Sequence, residues 1–132
     1  MGDRPGLSEA EREVLKALWE HGPGTVRQVN DLLGDRGRRR AYTTVLTLLQ
    51  RLQAKGYAEA EAAAGGAGAH VFRATVSRDE LVEQRLRDTA DEFCDGSAAP
   101  LLLALVQGNQ FSAEELARLR RLIDEAARRP RS

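Results

Sequence analysis

The chain has 132 residues, with twenty basic and twenty acidic side chains, 42% hydrophobic and 30% charged residues. That length suits one compact domain, or one small domain plus an accessory segment, and is large enough to fold without disulfides or a structural metal. A single cysteine, Cys94, excludes an intrachain disulfide and any zinc site built on two or more thiolates, and the longest apolar run, Leu101 to Val106, is far short of the ~20 residues that span a bilayer.

Met1 to Gly6 are short and polar, which fits no secretory signal, so a cytoplasmic chain without membrane insertion is expected. A first helix is predicted from about Glu9 to His21. Ser8 followed by Glu11 is a capping-box pattern, in which hydroxyl and carboxyl each take an orphan backbone N–H. The helix's apolar face is Ala10, Val14, Leu15, Leu18 and Trp19, and Gly22, Pro23 and Gly24 stop it. Thr25 and Gln28 open a second helix, from Val26 to about Leu33, with Gly34 as its stop. Asp35 to Arg40 reads as a basic loop. A third helix follows from about Tyr42 to Ala54, where Val45, Leu48, Leu49 and Leu52 form an apolar stripe and Gly56 ends it.

Tyr57 to Glu61 and Val71 to Val76 are short alternating segments around Ala62 to Ala69, a stretch of alanine and glycine only. Little burial offsets the entropy of ordering that stretch, so the reading is a β-hairpin with a long mobile tip. Ser77 and Glu80 form another capping box, opening a helix from about Arg78 to Phe93 with Val82, Leu86, Ala90 and Phe93 in one stripe. Gly96 to Pro100 is a break. Leu101 to Val106 is apolar all round and is expected as a short helix buried on every side. Ser112 and Glu115 open the last helix, about Ala113 to Ala127, with Leu116, Leu119, Ile123 and Ala126 in line.

Three helices followed by a hairpin are the order of a winged helix, a helix-turn-helix with a β-wing. The expected fold is therefore mainly α with a small β-hairpin wing: a winged helix-turn-helix DNA-binding domain over 1–76 and a helical dimerisation domain over 77–132. Charge supports this division. Residues 1–76 hold eleven basic and nine acidic side chains, and 77–132 hold nine and eleven. No acid occurs between Asp35 and Glu59, while Arg36, Arg38, Arg39, Arg40, Arg51 and Lys55 do. A local positive patch on a neutral chain suits a DNA-contacting element.

Opposite the apolar stripe, the third helix presents Arg40, Thr43, Thr47, Gln50 and Arg51. Threonine can meet a base edge or a thymine methyl, and glutamine can pair bidentately with adenine. Thr43 and Thr44 at the helix start can place hydroxyls and N–H groups on phosphate, and Arg51 and Lys55 would reach the backbone. In the C-terminal half, two amphipathic helices and one apolar segment exceed what so small a winged-helix core can bury. A partner copy is expected to cover Leu86, Phe93, Leu101, Leu102, Leu105, Val106, Leu119 and Ile123.

Catalysis is not expected. His21 and His70 lack metal-ligand spacing, and neither a G-x-S-x-G motif nor a phosphate-binding glycine loop occurs. No metal or cofactor is expected. Cys94 lies between Glu92 and Asp95, which disfavour a reactive thiolate. The competing readings are a redox- or ligand-responsive DNA-binding sensor and a protein–protein adaptor of winged-helix fold.

Leu7 to Trp19 (LSEAEREVLKALW), Thr25 to Val29 (TVRQV) and especially Ala41 to Gly56 (AYTTVLTLLQRLQAKG) resemble the penicillinase-repressor family, the BlaI/MecI/CopY type, in an actinobacterial flavour. The likeness extends to His70 to Phe72, with Phe72 as the family's aromatic in the returning wing strand, and more weakly through Ser77 to Ala126. It implies a homodimeric winged-helix repressor on double-stranded DNA with dyad symmetry. By position it places Thr43, Thr44, Thr47 and Arg51 on the DNA-facing helix, with Ala41 and Tyr42 at its start. The family also implies a membrane sensor-protease as partner, acting at an Asn–Phe bond, but Ala104–Leu105 stands at that place here. Copper-responsive relatives carry a C-terminal cysteine motif, whereas this chain has only Cys94.

Overall fold

A computed structural model of the protein describes residues 4–62, 70–109 and 111–129. In chain order it holds α1 (Glu9–His21), α2 (Val26–Asp35), α3 (Tyr42–Ala54), β1 (Ala58–Ala62), β2 (His70–Ala74), α4 (Arg78–Phe93), α5 (Ala99–Gly108) and α6 (Ala113–Arg128). The serine and threonine caps operate as expected. Ser8, Thr25 and Ser112 each accept from the backbone N–H three residues on, and Glu11, Gln28 and Glu115 reach back to the cap N–H. Ser77 accepts from the Glu80 N–H at 3.1 Å.

The end of α2 differs from expectation. Gly34 lies inside the helix, where glycine costs about 1 kcal/mol relative to alanine. The stop is Gly37, at φ 72°. The Arg38 N–H donates to Leu33 O at 2.7 Å and the Gly37 N–H to Gly34 O at 3.0 Å, the paired bonds of a Schellman ending. Gly56 (φ 88°) closes α3 in the same way, with the Tyr57 N–H on Leu52 O and its own N–H on Gln53 O. A left-handed residue is needed in both endings, and glycine supplies it without a Cβ clash.

The chain divides into two units between Gln84 and Arg85, inside α4. The first turns of α4 stay with the N-terminal unit because Leu81 packs on its core and the Arg78 guanidinium lies 5.7 Å from the Trp19 ring centre. That core is Val14, Leu15 and Leu18 of α1, Val26, Val29 and Leu33 of α2, and Val45, Leu48, Leu49 and Leu52 of α3, closed by Tyr57, Phe72 and Val76. Each large side chain there contributes roughly 1.5–3 kcal/mol by leaving water.

β1 and β2 pair antiparallel, Ala58 opposite Ala74 and Ala60 opposite Phe72. Gly24 adds an isolated antiparallel bridge that the sequence pattern does not show: its N–H and C=O exchange bonds with Phe72 at 2.9 and 2.8 Å. The α1–α2 connection thereby ties to the hairpin. Of the predicted mobile tip, Ala62 to Ala69, Ala62 is the last residue of β1 and 63–69 lie outside the described residues.

In the C-terminal unit the apolar segment is longer than expected, because Pro100 sits in the first turn of α5, where a missing N–H is harmless. The expected burial of Leu101 to Val106 on every side is not met within the chain. Leu101 is half-buried, and Leu102, Leu103, Leu105 and Val106 are exposed. Among the described residues of this unit, Ala90 alone is buried.

Candidate nucleic-acid interface

The face of α3 opposite its buried stripe carries Tyr42, Thr43, Thr44, Thr47, Gln50 and Arg51, all exposed. Val45, Leu48, Leu49 and Leu52 point inward, so packing alone fixes which residues face out. Ala41 caps α3 without a side-chain bond. The first N–H groups of the helix therefore face outward without a cap oxygen. Thr47 Oγ1 donates to Thr43 O at 2.9 Å, which leaves that hydroxyl lone pairs and the methyl group for an approaching surface. No acidic residue lies on this helix.

Four side chains outside the expected set hold α3 in place. Asn30, buried on α2, donates from Nδ2 to Arg40 O at 2.7 Å and accepts the Arg40 N–H on Oδ1 at 3.0 Å. Glu11 is 2% exposed and accepts from Lys55 Nζ at 2.6 Å, tying the start of α1 to the end of α3. Tyr57, fully buried, donates its hydroxyl to Pro5 O, while Arg4 bonds Gly56 O and stacks 5.8 Å from the Tyr57 ring centre. Residues 4–6 thus strap over the C-terminal end of α3. Only the capping role of Glu11 was legible from its spacing, since its partner stands 44 residues away.

The same contacts engage two residues expected at the DNA surface. Lys55 is committed to Glu11 and to Gly6 O, and Arg40 to Glu13 at 2.7 Å. Both are half-buried and brace α3 in the free chain. In space, carboxylates of α1 and α2 stand beside five of the six cations of the acid-free window. Arg36 pairs with Glu20, Arg38 with Glu13 at 3.7 Å, and Arg39 with Asp31 at 3.2 Å. Of the window's six cations, Arg51 alone has no carboxylate partner among the described residues.

Two carboxyl groups are held below their ordinary value of 4.5. For Glu11, burial pushes upward, but the Lys55 ammonium and the Ser8 N–H outweigh it. For Glu13, the Arg40 hydrogen bond is the main cause and overrides burial, with the Arg38 and Lys16 charges adding to it. Among the described residues no cluster of His, Cys, Asp or Glu could hold a metal ion, and no helix is long and apolar enough to cross a membrane. Cys94 is half-buried at the end of α4.

Comparison with known proteins gives the same frame. Residues 7–125 match the family model described as penicillinase repressor. The transcriptional regulator BlaI of Mycobacterium tuberculosis is 37% identical over 121 residues, covering 90% of this chain and 83% of the relative. The penicillinase repressor of Bacillus licheniformis is 23% identical over 123 residues, covering 92% and 91%. Among solved structures, the transcriptional regulator Tm0710 of Thermotoga maritima aligns with a TM-score of 0.53 at 23% identity, over 93% of this chain and 78% of that one. Wild-type MarR of E. coli, in its apo form, aligns at 0.50 and 18% identity, over 91% and 77%. At such identities these structures support the winged-helix fold and nothing finer.

Proposed function

Because the chain belongs to the penicillinase-repressor family of winged-helix transcriptional regulators, which are not enzymes, we propose that it represses transcription as a homodimer on a dyad-symmetric operator. One observation carries the reading: an exposed, acid-free face of α3, Thr43, Thr44, Thr47, Gln50 and Arg51, backed by a fully buried apolar stripe. Such a helix enters the major groove by its N-terminal half. There Thr47 and Gln50 meet base edges, and Ala41, Tyr42, Thr43 and Thr44 lie at the phosphates that flank the groove. Arg51 is the uncommitted cation for the backbone.

The dimer is supported by what the C-terminal unit leaves in water. Leu86, Phe93, Leu102, Leu105, Val106 and Ile123 are exposed, and Leu101 and Leu119 half-buried. Isolated surface apolar residues are ordinary, but this many on three successive helices call for a cover. A second copy supplies it symmetrically and sets two α3 helices on one face of the duplex. Derepression follows from loss of the dimer or of the grip on DNA. Ala104–Leu105 lies within the hydrogen-bonded span of α5, so cleavage there would first require that helix to unwind.

Selection of bound fragments from a genomic DNA pool, with sedimentation of the purified protein, tests the reading. Enriched sequences should share half-sites spaced by whole helical turns, in multiples of roughly 10 bp. A protein that is monomeric at tens of micromolar, or a pool without enrichment, overturns it.

A further inference from the structure

We propose that Gly34 and Asp31 form a parking seat for the Arg39 guanidinium, from which Arg39 is released to bind DNA phosphate. The proposal rests on the DNA-binding reading above and adds a residue to it. Arg39 stands two residues ahead of Ala41, the cap of α3, in the loop that delivers that helix to the groove. Its Nη1 lies 3.2 Å from Asp31 Oδ1, one helical turn before Gly34 on α2.

The seat itself is the second observation. A Cβ built on Gly34 would come within 2.7, 2.8 and 2.9 Å of Arg39 Nη2, Nε and Cζ. The missing side chain is therefore the space the guanidinium occupies. Gly34 is not the stop of α2, a role taken by Gly37, so its presence in the helix interior is explained by what lies over it. A glycine there lowers helix stability and returns a flat backbone surface on which a planar cation can lie.

The seat holds weakly. Arg39 and Asp31 side chains are both 59% exposed, and ion pairs so exposed are screened by solvent and salt. This separates Arg39 from Arg40 and Lys55, whose partners Glu13 and Glu11 are buried or largely so. Phosphate competes well with a carboxylate for a guanidinium, since both accept its N–H fork bidentately. In the free protein Arg39 sits on the carboxylate, and on the duplex it exchanges that partner for a phosphate. Asp31 thereby tempers sequence-independent affinity, which leaves discrimination to the base contacts of α3.

Phosphate contacts are read on any duplex, so the test uses random-sequence DNA at low and at physiological salt. Gly34→Ala evicts the guanidinium without changing charge and should also raise the thermal midpoint, because alanine favours the helix. Its affinity should rise about two- to fivefold, the span expected for relief of one exposed ion pair. Asp31→Asn should give a similar gain. In an Arg39→Gln background both gains should vanish. A gain from Asp31→Asn that persists without Arg39 would be a general charge effect and overturns the proposal. So does an unchanged affinity in Gly34→Ala, or a fall in both affinity and midpoint, which would make the seat a loop anchor. Failure of the parent to bind any duplex overturns instead the reading on which the seat depends.

Discussion

Asn30 and Arg40 are joined by two hydrogen bonds that run in opposite directions, amide Nδ2 to the Arg40 carbonyl and the Arg40 N–H to amide Oδ1. The side chain stands in for a peptide unit and fixes the backbone just before α3. Asn30→Leu keeps the branched shape, with somewhat bulkier methyl groups, and removes both partners from a half-buried backbone unit. An unsatisfied buried polar group costs about 1–3 kcal/mol. The thermal midpoint should fall by roughly 4–8 °C per kcal/mol for a domain of this size. Asn30→Asp retains the acceptor for the N–H and loses the donor to the carbonyl, so it should fall between parent and leucine variant. Thermal melts of the three proteins check the order, and equal midpoints would show that the clamp is incidental.

The Glu11–Lys55 pair makes a prediction in pH. The Glu11 carboxyl is depressed in the folded state, so the unfolded chain binds its proton first as pH falls. Its contribution to stability is present above the ordinary value of 4.5 and is lost as pH drops through that value and on to the depressed one. Glu13 acts in the same direction through Arg40. Lys55→Met removes the opposing charge and leaves only the Ser8 bonds against burial, so the depression of Glu11, and the loss of stability on acidification that follows from it, should shrink. At neutral pH that variant should lose up to about 3 kcal/mol, the low end for a broken buried pair, because Lys55 is partly exposed. Glu11→Gln combined with Lys55→Met should recover part of the loss. Denaturant titrations from pH 7 downward distinguish the three.

Local signals carried most of the fold, and pairings across the chain were the part that stayed hidden. The Ser/Thr-x-x-Glu/Gln boxes and the stripe of Val45, Leu48, Leu49 and Leu52 are determined within a few residues, and they placed α1, α3 and α6 almost to their ends. The stop of α2 was misplaced because Gly34 and Gly37 look alike in sequence, while only the latter completes the Schellman bonds. The Gly24 bridge depends on where Phe72 arrives, which no local pattern states. The acid-free window was legible as sequence, but its ion-pair partners were not: Glu11, Glu13, Glu20 and Asp31 come from α1 and α2. Thr43, Thr44, Thr47, Gln50 and Arg51 were legible because helical period and burial of the opposite face suffice to orient them.

Arg51 and Thr47 should separate affinity from specificity. Arg51 has no acidic partner among the described residues, so Arg51→Ala costs the fold little and weakens binding to every sequence. Thr47 already spends its hydroxyl proton on Thr43 O, so it can read a base only through its methyl or by accepting a hydrogen bond. Thr47→Ala should relax discrimination at one base pair by about 1–3 kcal/mol. Thr47→Val keeps the methyl and loses the lone pairs, which tells a thymine contact from a cytosine or adenine amino contact. Binding to selected and random duplexes measures both effects, and parallel losses for Arg51→Ala and Thr47→Ala on the two DNAs would remove the assigned division of labour.

The apolar faces of the C-terminal unit yield the last expectation. Leu102, Leu103, Leu105 and Val106 are exposed on one short helix, where at 3.6 residues per turn they share a single apolar face roughly 160° wide. In the proposed dimer a partner copy would cover that face, with Leu119 and Ile123 of α6 as the complement. Leu105→Asp would place a carboxylate in that interface, at a cost of several kcal/mol unless it takes up a proton. In an obligate dimer the loss appears as dissociation that depends on protein concentration. Operator affinity should fall with it, because a lone winged helix forfeits the second half-site and the effective concentration that linkage provides. Binding of one protomer to a half-site fragment should survive, since the core around Val14, Val45 and Tyr57 lies in the other unit. Sedimentation and operator titration of Leu105→Asp beside the parent decide it: a mutant that remains dimeric and binds the full operator normally would remove α5 from the interface.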